Sequence, residues 1–281
     1  MVLGESRKRS EFFILPPSGH VVPGIFRNRS ADSELHDDLL AKVQRFRGRI
    51  YLEDGAVTRR ELTSDGRHNS PVDEASWHVV SLDSERRVCA CLRFLEESNA
   101  KSFDDLWVRN AAAARSTQGS AFRRALEGEL AGARKAGLRF GEVGGWAVAE
   151  SHRRTTEPLR IILATYGLLE LLGSCVGVAT ATWRHSSAAI LRRIGLTSLS
   201  VDGRALPPYH DPQYDCSMEV LRFDSRLPNP RYRSLVQELG ASLKAAPTIC
   251  TENMGATLQN SFWNFDMPAA EPSFGSLVPV N

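Results

Sequence analysis

The stretch GEVGGWAVAESHRRTTEPLRIILATYGLLELLG, Gly141–Gly173, decides the fold. Glu142–Val148 reads as a strand. The polar run Glu150 to Glu157 reads as a loop, and Pro158 to about Leu172 as a strongly apolar helix whose proline suits the first turn. The densest apolar part, Ile161–Leu172, is interrupted by Thr165, Tyr166 and Glu170. It falls short of the ~20 residues that span a bilayer. A strand, a polar loop and a buried helix form the repeating unit of an α/β sheet. On that strand Glu142, Gly144, Trp146 and Val148 share one face, and Val143, Gly145 and Ala147 the other.

Upstream, Trp77–Leu82 and Val88–Leu95 are strands joined by the polar turn Asp83-Ser84-Glu85-Arg86. Residues 96–120 form an excursion, and a helix then carries Phe122, Leu126, Leu130 and Ala133 to near Gly137. Leu35, Leu39, Leu40, Val43 and Phe46 recur at helical spacing behind Ser33, with a short strand expected at Ile50-Tyr51-Leu52. Downstream come a strand at Cys175–Trp183, a short helix Ser186–Ile194 closed by Gly195, a strand Ser217–Phe223 and a helix Tyr232–Ala245. Residues 1–32 are polar and rich in Pro and Gly and are expected as an irregular arm. Residues 33–249 form one domain, and residues 250–281 a loosely packed tail. The order predicts an α/β (α+β) architecture, a mixed central sheet with flanking helices.

Composition narrows the function. The 281 residues carry 35 basic and 33 acidic side chains, a formal charge of +2. That balance argues against bulk attraction to nucleic acid. Of the basic residues 30 are arginine, the better bidentate ligand for phosphate and carboxylate. The five cysteines, Cys89, Cys91, Cys175, Cys216 and Cys250, form no CxxC pair and read as core thiols, with no metal site and no disulfide framework. Near the N-terminus Phe12–Leu15 is too short for a signal-peptide core, so the chain is expected to be cytoplasmic, without a transmembrane segment.

Four segments together resemble the GNAT acyltransferase superfamily: VCACLRFL (Val88–Leu95), GEVGGWAVAESHRR (Gly141–Arg154), the helix PLRIILATYGLLELLG, and TATWRHSSAAILRRIGL (Thr180–Leu196). Further upstream, FRGRIYLEDGA, DGRH, VDEASWHVVSLD and CLRF resemble the N-acyl amino acid synthases and the acyl-homoserine-lactone synthases, and LPPYHDPQYDCSMEVLRFD (Leu206–Asp224) resembles the closing strand region of the former. The resemblance implies splayed central strands and an N-acyltransferase. Such an enzyme moves an acyl group, fatty in the nearer relatives, from an acyl thioester to the amine of an amino acid or similar small molecule. It holds no tightly bound cofactor. The donor loop of the superfamily is glycine-rich, whereas the matching segment here, Arg153-Arg154-Thr155-Thr156-Glu157-Pro158, has no glycine. That favours acyl carrier protein as the donor's carrier over acyl-CoA, because backbone without glycine approaches phosphate less closely. A short-chain acetyl-CoA-dependent N-acetyltransferase and a non-catalytic acyl-binding module are the alternatives.

N-acyl transfer needs a held thioester carbonyl, a neutral amine beside it and a base. Glu142 is the candidate base or amine anchor, or else the partner of an arginine at the sheet end. Gly144 and Gly145 leave room beside it. By resemblance, the backbone N–H groups near Ala147 and Val148 polarise the carbonyl. Arg153, Arg154 and Thr155 precede a helix start and suit a donor phosphate, or form a solvated turn. Arg93, inside a strand, requires a carboxylate, for which Asp73 is the candidate. Together they bind an amino acid acceptor, or they close the hairpin as an ion pair. Arg47, Arg49, Tyr51 and Asp65 are placed by resemblance around the acyl and acceptor sites, with a solvated basic strand as the other reading of the first three.

Overall fold

The computed structural model describes residues 10–251. In chain order the strands are β1 (Glu11–Leu15), β2 (Arg29–Ala31), β3 (Ser76–Leu82), β4 (Val88–Glu96), β5 (Arg139–Val148), β6 (Cys175–Thr182), β7 (Thr197–Ser198), β8 (Ser200–Val201), β9 (Arg204–Ala205), β10 (Tyr209–Asp211), β11 (Cys216–Asp224) and β12 (Thr248–Cys250). The helices are α1 (Ser33–Glu53), α2 (Gly119–Lys135), α3 (Glu150–Arg153), α4 (Glu157–Leu171), α5 (Ser187–Ile194) and α6 (Arg233–Ala245). A ten-stranded mixed sheet runs β10-β11-β6-β5-β4-β3-β1-β12-β2, with β7 added to β11.

Most pairs are antiparallel; β5 and β6 are parallel, as the crossover through α4 requires. Their pairing runs from Arg139↔Cys175 to Val143↔Ala179 and then stops, although β5 continues to Val148 and β6 to Thr182. The two strands therefore part at mid-sheet. At the paired end they approach closely: a Cβ on Gly177 would lie 1.8 Å from the Gly141 carbonyl oxygen.

Helix α4 is apolar nearly all round because it is covered on both sides. Its residues Ile161 to Leu169 are buried between the sheet and α6. The α4–α6 crossing is tight at Gly167, where a Cβ would come within 2.8 Å of Gly240. A second core cluster packs α2 and the excursion residues Phe103, Leu106 and Val108 on the opposite face, and a third seats α1 on β1, β3 and β4.

Three expectations are corrected. Ile50-Tyr51-Leu52 is not a strand: α1 runs on to Glu53, with Asp54 as its C-cap, so Arg47, Arg49 and Tyr51 are helical. The segment expected as an irregular arm supplies β1 to the sheet interior. Phe12 to Leu15 are buried, paired with β3 from Glu11↔Leu82 to Leu15↔His78, and β2 follows at Arg29–Ala31. The cause is burial on both faces, which leaves a continuous apolar run instead of an alternating one. The polar stretch after β5 is not a plain loop, because Glu150–Arg153 makes one helical turn. The expected boundary at residue 250 falls inside the interior strand β12, Thr248–Cys250, and of the expected tail residues 252–281 lie outside the described residues. Beside the ten-stranded sheet, β8 and β9 pair as a separate two-stranded antiparallel sheet.

Candidate active site

Where β5 and β6 part, a cavity of about 400 Å³ opens, walled by Val143–Trp146 of β5 and Ala179–Thr182 of β6. A bulge shapes the β5 wall. Between Cys91↔Ala147 and Arg93↔Gly144, β5 has two residues against one on β4, and Gly145 stands at φ +62. A glycine in left-handed backbone at an extra residue is the arrangement of a G1 bulge. The bulge breaks the alternation expected from the sequence, so Glu142 and Gly144 do not share one continuous face with Trp146 and Val148. A Cβ on Gly145 would stand 3.1 Å from Arg47 Nη1 and 3.2 Å from Arg93 Cγ. Only glycine meets both requirements.

Behind the bulge lies a buried charge cluster. Asp73, fully withdrawn from solvent, accepts from Arg93 Nη1 at 3.0 Å, from Arg47 Nη2, from Gln44 Nε2 at 3.1 Å and from the Ser70 backbone N–H at 3.0 Å. Burial alone would raise its pKa. The Arg47 guanidinium, with His78 and Arg93, outweighs burial and holds the carboxyl far below the usual range. His78 Nε2 meets the Asp73 carbonyl oxygen at 2.9 Å. Arg93 therefore has the partner the sequence required. The two guanidiniums share a single carboxylate, however, and Arg47 Nε, Arg47 Nη1 and Arg93 Nε are buried without a hydrogen-bond acceptor. The cluster holds excess positive charge and unused donors at the wall of the cavity.

Glu142 faces this cluster. It is 5 % exposed, lines the cavity, and its Oε2 is buried without a partner. Burial pushes its carboxyl up to about 8; Arg93 opposes the rise and Glu97 adds to it. An unpartnered carboxyl that changes charge near neutral pH is suited to take or give a proton. The Tyr51 hydroxyl donates to the Trp146 carbonyl oxygen at 3.4 Å, and its ring meets His68 edge-on at 5.2 Å, both on the cavity wall. Burial, with the Arg47 guanidinium beside it, lowers His68 to about 4, so its ring is neutral at pH 7.

A second, wider cavity of about 960 Å³ lies across the end of β5. It is lined by Ala147 and Val148, by Arg153 and Arg154, and by Pro158 at the start of α4. The two cavities share Tyr51, Asp54, Trp146, His185 and Ser187, so they meet at the gap between the strands. Beyond Val143 the edge of β5 that faced β6 turns its backbone groups toward that gap.

The structure brings most of the candidate residues together. Glu142, Arg93, Arg47, Tyr51, Gly144 and Gly145 line the smaller cavity, with Asp73 directly behind them, and Ala147, Val148, Arg153 and Arg154 line the larger. Two candidates lie elsewhere. Asp65 is on the surface, paired with Arg45 and Arg67 at 3.0 Å. Arg49 is exposed on α1, 3.3 Å from Glu53 and stacked over Phe46, because two positions along a helix, about 200° of rotation, turn its side chain away from the side of the inward-facing Arg47. Arg153 is engaged by Asp54 at 2.9 Å and by the Val148 carbonyl oxygen at 3.2 Å, which leaves Arg154 as the exposed guanidinium there. Thr155 does not line the larger cavity; its hydroxyl accepts the Glu157 backbone N–H at 3.1 Å, just ahead of α4, whose N-cap is Thr156. Sequence reasoning missed Glu97, Tyr209 and Asp54. Nothing in their neighbours signals their burial or contacts, which come from loops and strands distant in sequence.

Four of the five cysteines are buried, and burial raises Cys91 to about 12. Among the described residues no three His, Cys, Asp or Glu side chains gather as a metal site, and no helix is long and apolar enough to cross a membrane.

No family model and no curated protein matches the sequence. Solved structures do match the fold. The CoA-dependent acyl-homoserine lactone synthase BjaI, solved with SAM and isopentyl-CoA, aligns with a TM-score of 0.51 at 15 % identity, over 87 % of this chain and 95 % of its own. TofI, in a ternary complex with an inhibitor and MTA, aligns with a TM-score of 0.50 at 12 % identity, over 83 % and 99 %. The chain has a GNAT-like acyltransferase fold, with the mixed α/β sheet and flanking helices of those structures.

Proposed function

We propose that the protein is an N-acyltransferase that moves an acyl group from a thioester to the amine of an amino acid or similar small molecule. The observation that carries this reading is Glu142: an unpartnered, buried carboxyl in the cavity where β5 and β6 part, beside two arginines that share one carboxylate. Each feature has a use in the reaction. The acceptor's carboxylate takes the unused Arg47 and Arg93 donors, which directs its amine toward Glu142. The thioester enters from the wider cavity, and its carbonyl oxygen meets backbone N–H groups on the open edge of β5.

The amine nitrogen attacks the thioester carbon. A C–N bond forms, the C–S bond breaks, the nitrogen's proton passes to the Glu142 carboxylate, and the departing thiolate takes up a proton. A positioned base of this kind contributes roughly 10²–10⁴-fold. Gly144 and Gly145 keep the approach to Glu142 clear of side chains. Asp73 holds Arg93 and Arg47 in place and touches neither reactant.

We further propose a phosphopantetheine on an acyl carrier protein as the donor, with a fatty acyl chain and with Arg154 as its phosphate partner. The engagement of Arg153 by Asp54 and the absence of glycine between residues 153 and 158 favour a single phosphodiester over the several phosphates of CoA. The reaction this reading describes is that of a cytoplasmic enzyme. The test is incubation with acyl carrier protein thioesters and acyl-CoAs of several chain lengths against a set of amino acids, read by mass spectrometry. N-acyl amino acids are expected, formed faster from the carrier protein. Product from acetyl-CoA alone identifies a short-chain acetyltransferase, and binding without product identifies an acyl-binding module.

A further inference from the structure

Glu142 is not the only buried acid in this part of the sheet. Glu97 follows β4 directly and is 9 % exposed. Leu95 of β4 pairs with Glu142 of β5, and the Glu97 backbone N–H continues the ladder to the Phe140 carbonyl oxygen at 2.8 Å. The two glutamates thus stand on neighbouring strands, two ladder positions apart. One oxygen of Glu97 accepts the Trp107 backbone N–H at 2.5 Å; the other, like Glu142 Oε2, is buried with no partner. Trp107 forms part of the wall of the Glu142 cavity and of a third, outer cavity of about 650 Å³ that Glu97 itself lines.

From this arrangement we infer that Glu97 is a positioning residue for Glu142: standing two ladder positions away on the neighbouring strand, its charge sets how strongly Glu142 holds a proton. The inference rests on the acyl-transfer reading for its purpose and on the strand geometry for its existence. Two buried carboxyls, each with one oxygen lacking a partner, resist double ionisation in one low-dielectric region. The groups facing them fit such a pair. Arg93 acts on both and is already engaged by Asp73, and Tyr209 faces Glu142 with its hydroxyl buried and unpartnered. Lys101, Asp105, Arg109 and Glu96 lie around the outer cavity on the side of Glu97. Burial brings Glu97 up to about 7, although the Trp107 N–H and Arg93 oppose it, so both acids change charge close to neutral pH. An amine that arrives as an ammonium ion must shed one proton beyond the one that ends on the thiol. Glu97, which opens to the outer cavity, provides a second carboxyl for it.

The test does not depend on turnover. The full chain, labelled with ¹³C at the glutamate carboxyls, is titrated by NMR from acid to alkaline pH. Two carboxyls titrating near neutrality are expected in the wild type. Glu97→Gln keeps an acceptor for the Trp107 N–H and removes the charge, so Glu142 should then titrate lower by about one pH unit. Glu142→Gln should lower the Glu97 midpoint by the same amount, which gives a second measurement if the first variant does not fold. A Glu142 midpoint unmoved by Glu97→Gln, or a Glu97 midpoint unmoved by Glu142→Gln, overturns the pair. In turnover, the rise of kcat/KM with pH should move to lower pH in Glu97→Gln, a change that loss of packing alone does not produce. If the carboxyls are coupled but no thioester yields an acylated amine, the acyl-transfer reading fails and the pair stands.

Discussion

Arg93 and Asp73 pair at 3.0 Å behind the β5 bulge, and that pairing withholds Arg93 from Glu142. A carboxylate next to a free guanidinium would be held low, as Asp73 is. Because Arg93 is engaged, burial dominates at Glu142 and its carboxyl rises to about 8. The same bond turns one acid into a permanent anchor and leaves the other able to exchange a proton.

Glu142→Gln should leave the fold intact and cut kcat by roughly 10²–10⁴-fold, the range for a lost general base. In the wild type, kcat/KM should climb as pH rises through about 8, because the ionised form is the base. A variant that keeps wild-type turnover would remove Glu142 from the chemistry.

Stability should carry the same signature. The folded pKa of Glu142 is raised from 4.5 to about 8, so between those values the native state binds more protons than the unfolded one. The contribution is fully present below pH ~4.5 and is lost as pH rises through ~8. Thermal melts across this window should show stability falling with pH in the wild type, with a shallower fall in Glu142→Gln. An identical slope in both would count against the raised value.

Asp73→Asn should be far more costly than either arginine's loss of contact alone would suggest, because it leaves two buried guanidiniums without a counter-charge. Breaking a buried ion cluster from one side typically costs about 3–5 kcal/mol. Denaturant unfolding should report a loss of this size, accompanied by a raised KM for the acceptor in whatever enzyme remains folded.

Two glycines should respond in opposite directions. Gly177→Ala drives a Cβ to 1.8 Å from the Gly141 carbonyl oxygen, where backbone must move, and should cost about 3 kcal/mol or more. Gly128→Ala, on the exposed side of α2 with nothing within 4 Å of its Cβ, should stabilise by about 0.5–1 kcal/mol. Melting temperatures of the pair compared with the wild type check both signs.

The sequence was most legible where an element has one buried face or a clear stop. The hairpin β3–β4, the crossover β5–α4–β6 and the Gly195 end of α5 all appear close to the positions that periodicity and turn residues predict. It was least legible where both faces are buried or where a partner comes from afar. β1 has no alternation to show, and α1 continues through Ile50-Tyr51-Leu52 because Ile50 packs inward on a helix as well as it would on a strand. In the site, Arg93 announced its need for an acid, and Asp73 met it. Local pattern could not show that Gly145 would start a bulge, that Arg49 would turn outward, or that Glu97 would be buried beside Trp107.

Thiol release and N-acylated product, measured together from acyl thioester and amino acid in the wild type and in Glu142→Gln, read both the acyl transfer and the role of Glu142 in one assay. One thiol per acylated amine is expected in the wild type, rising with pH through about 8, with loss of both in the variant. Thiol release without any acylated amine, or equal product from both proteins, would contradict it.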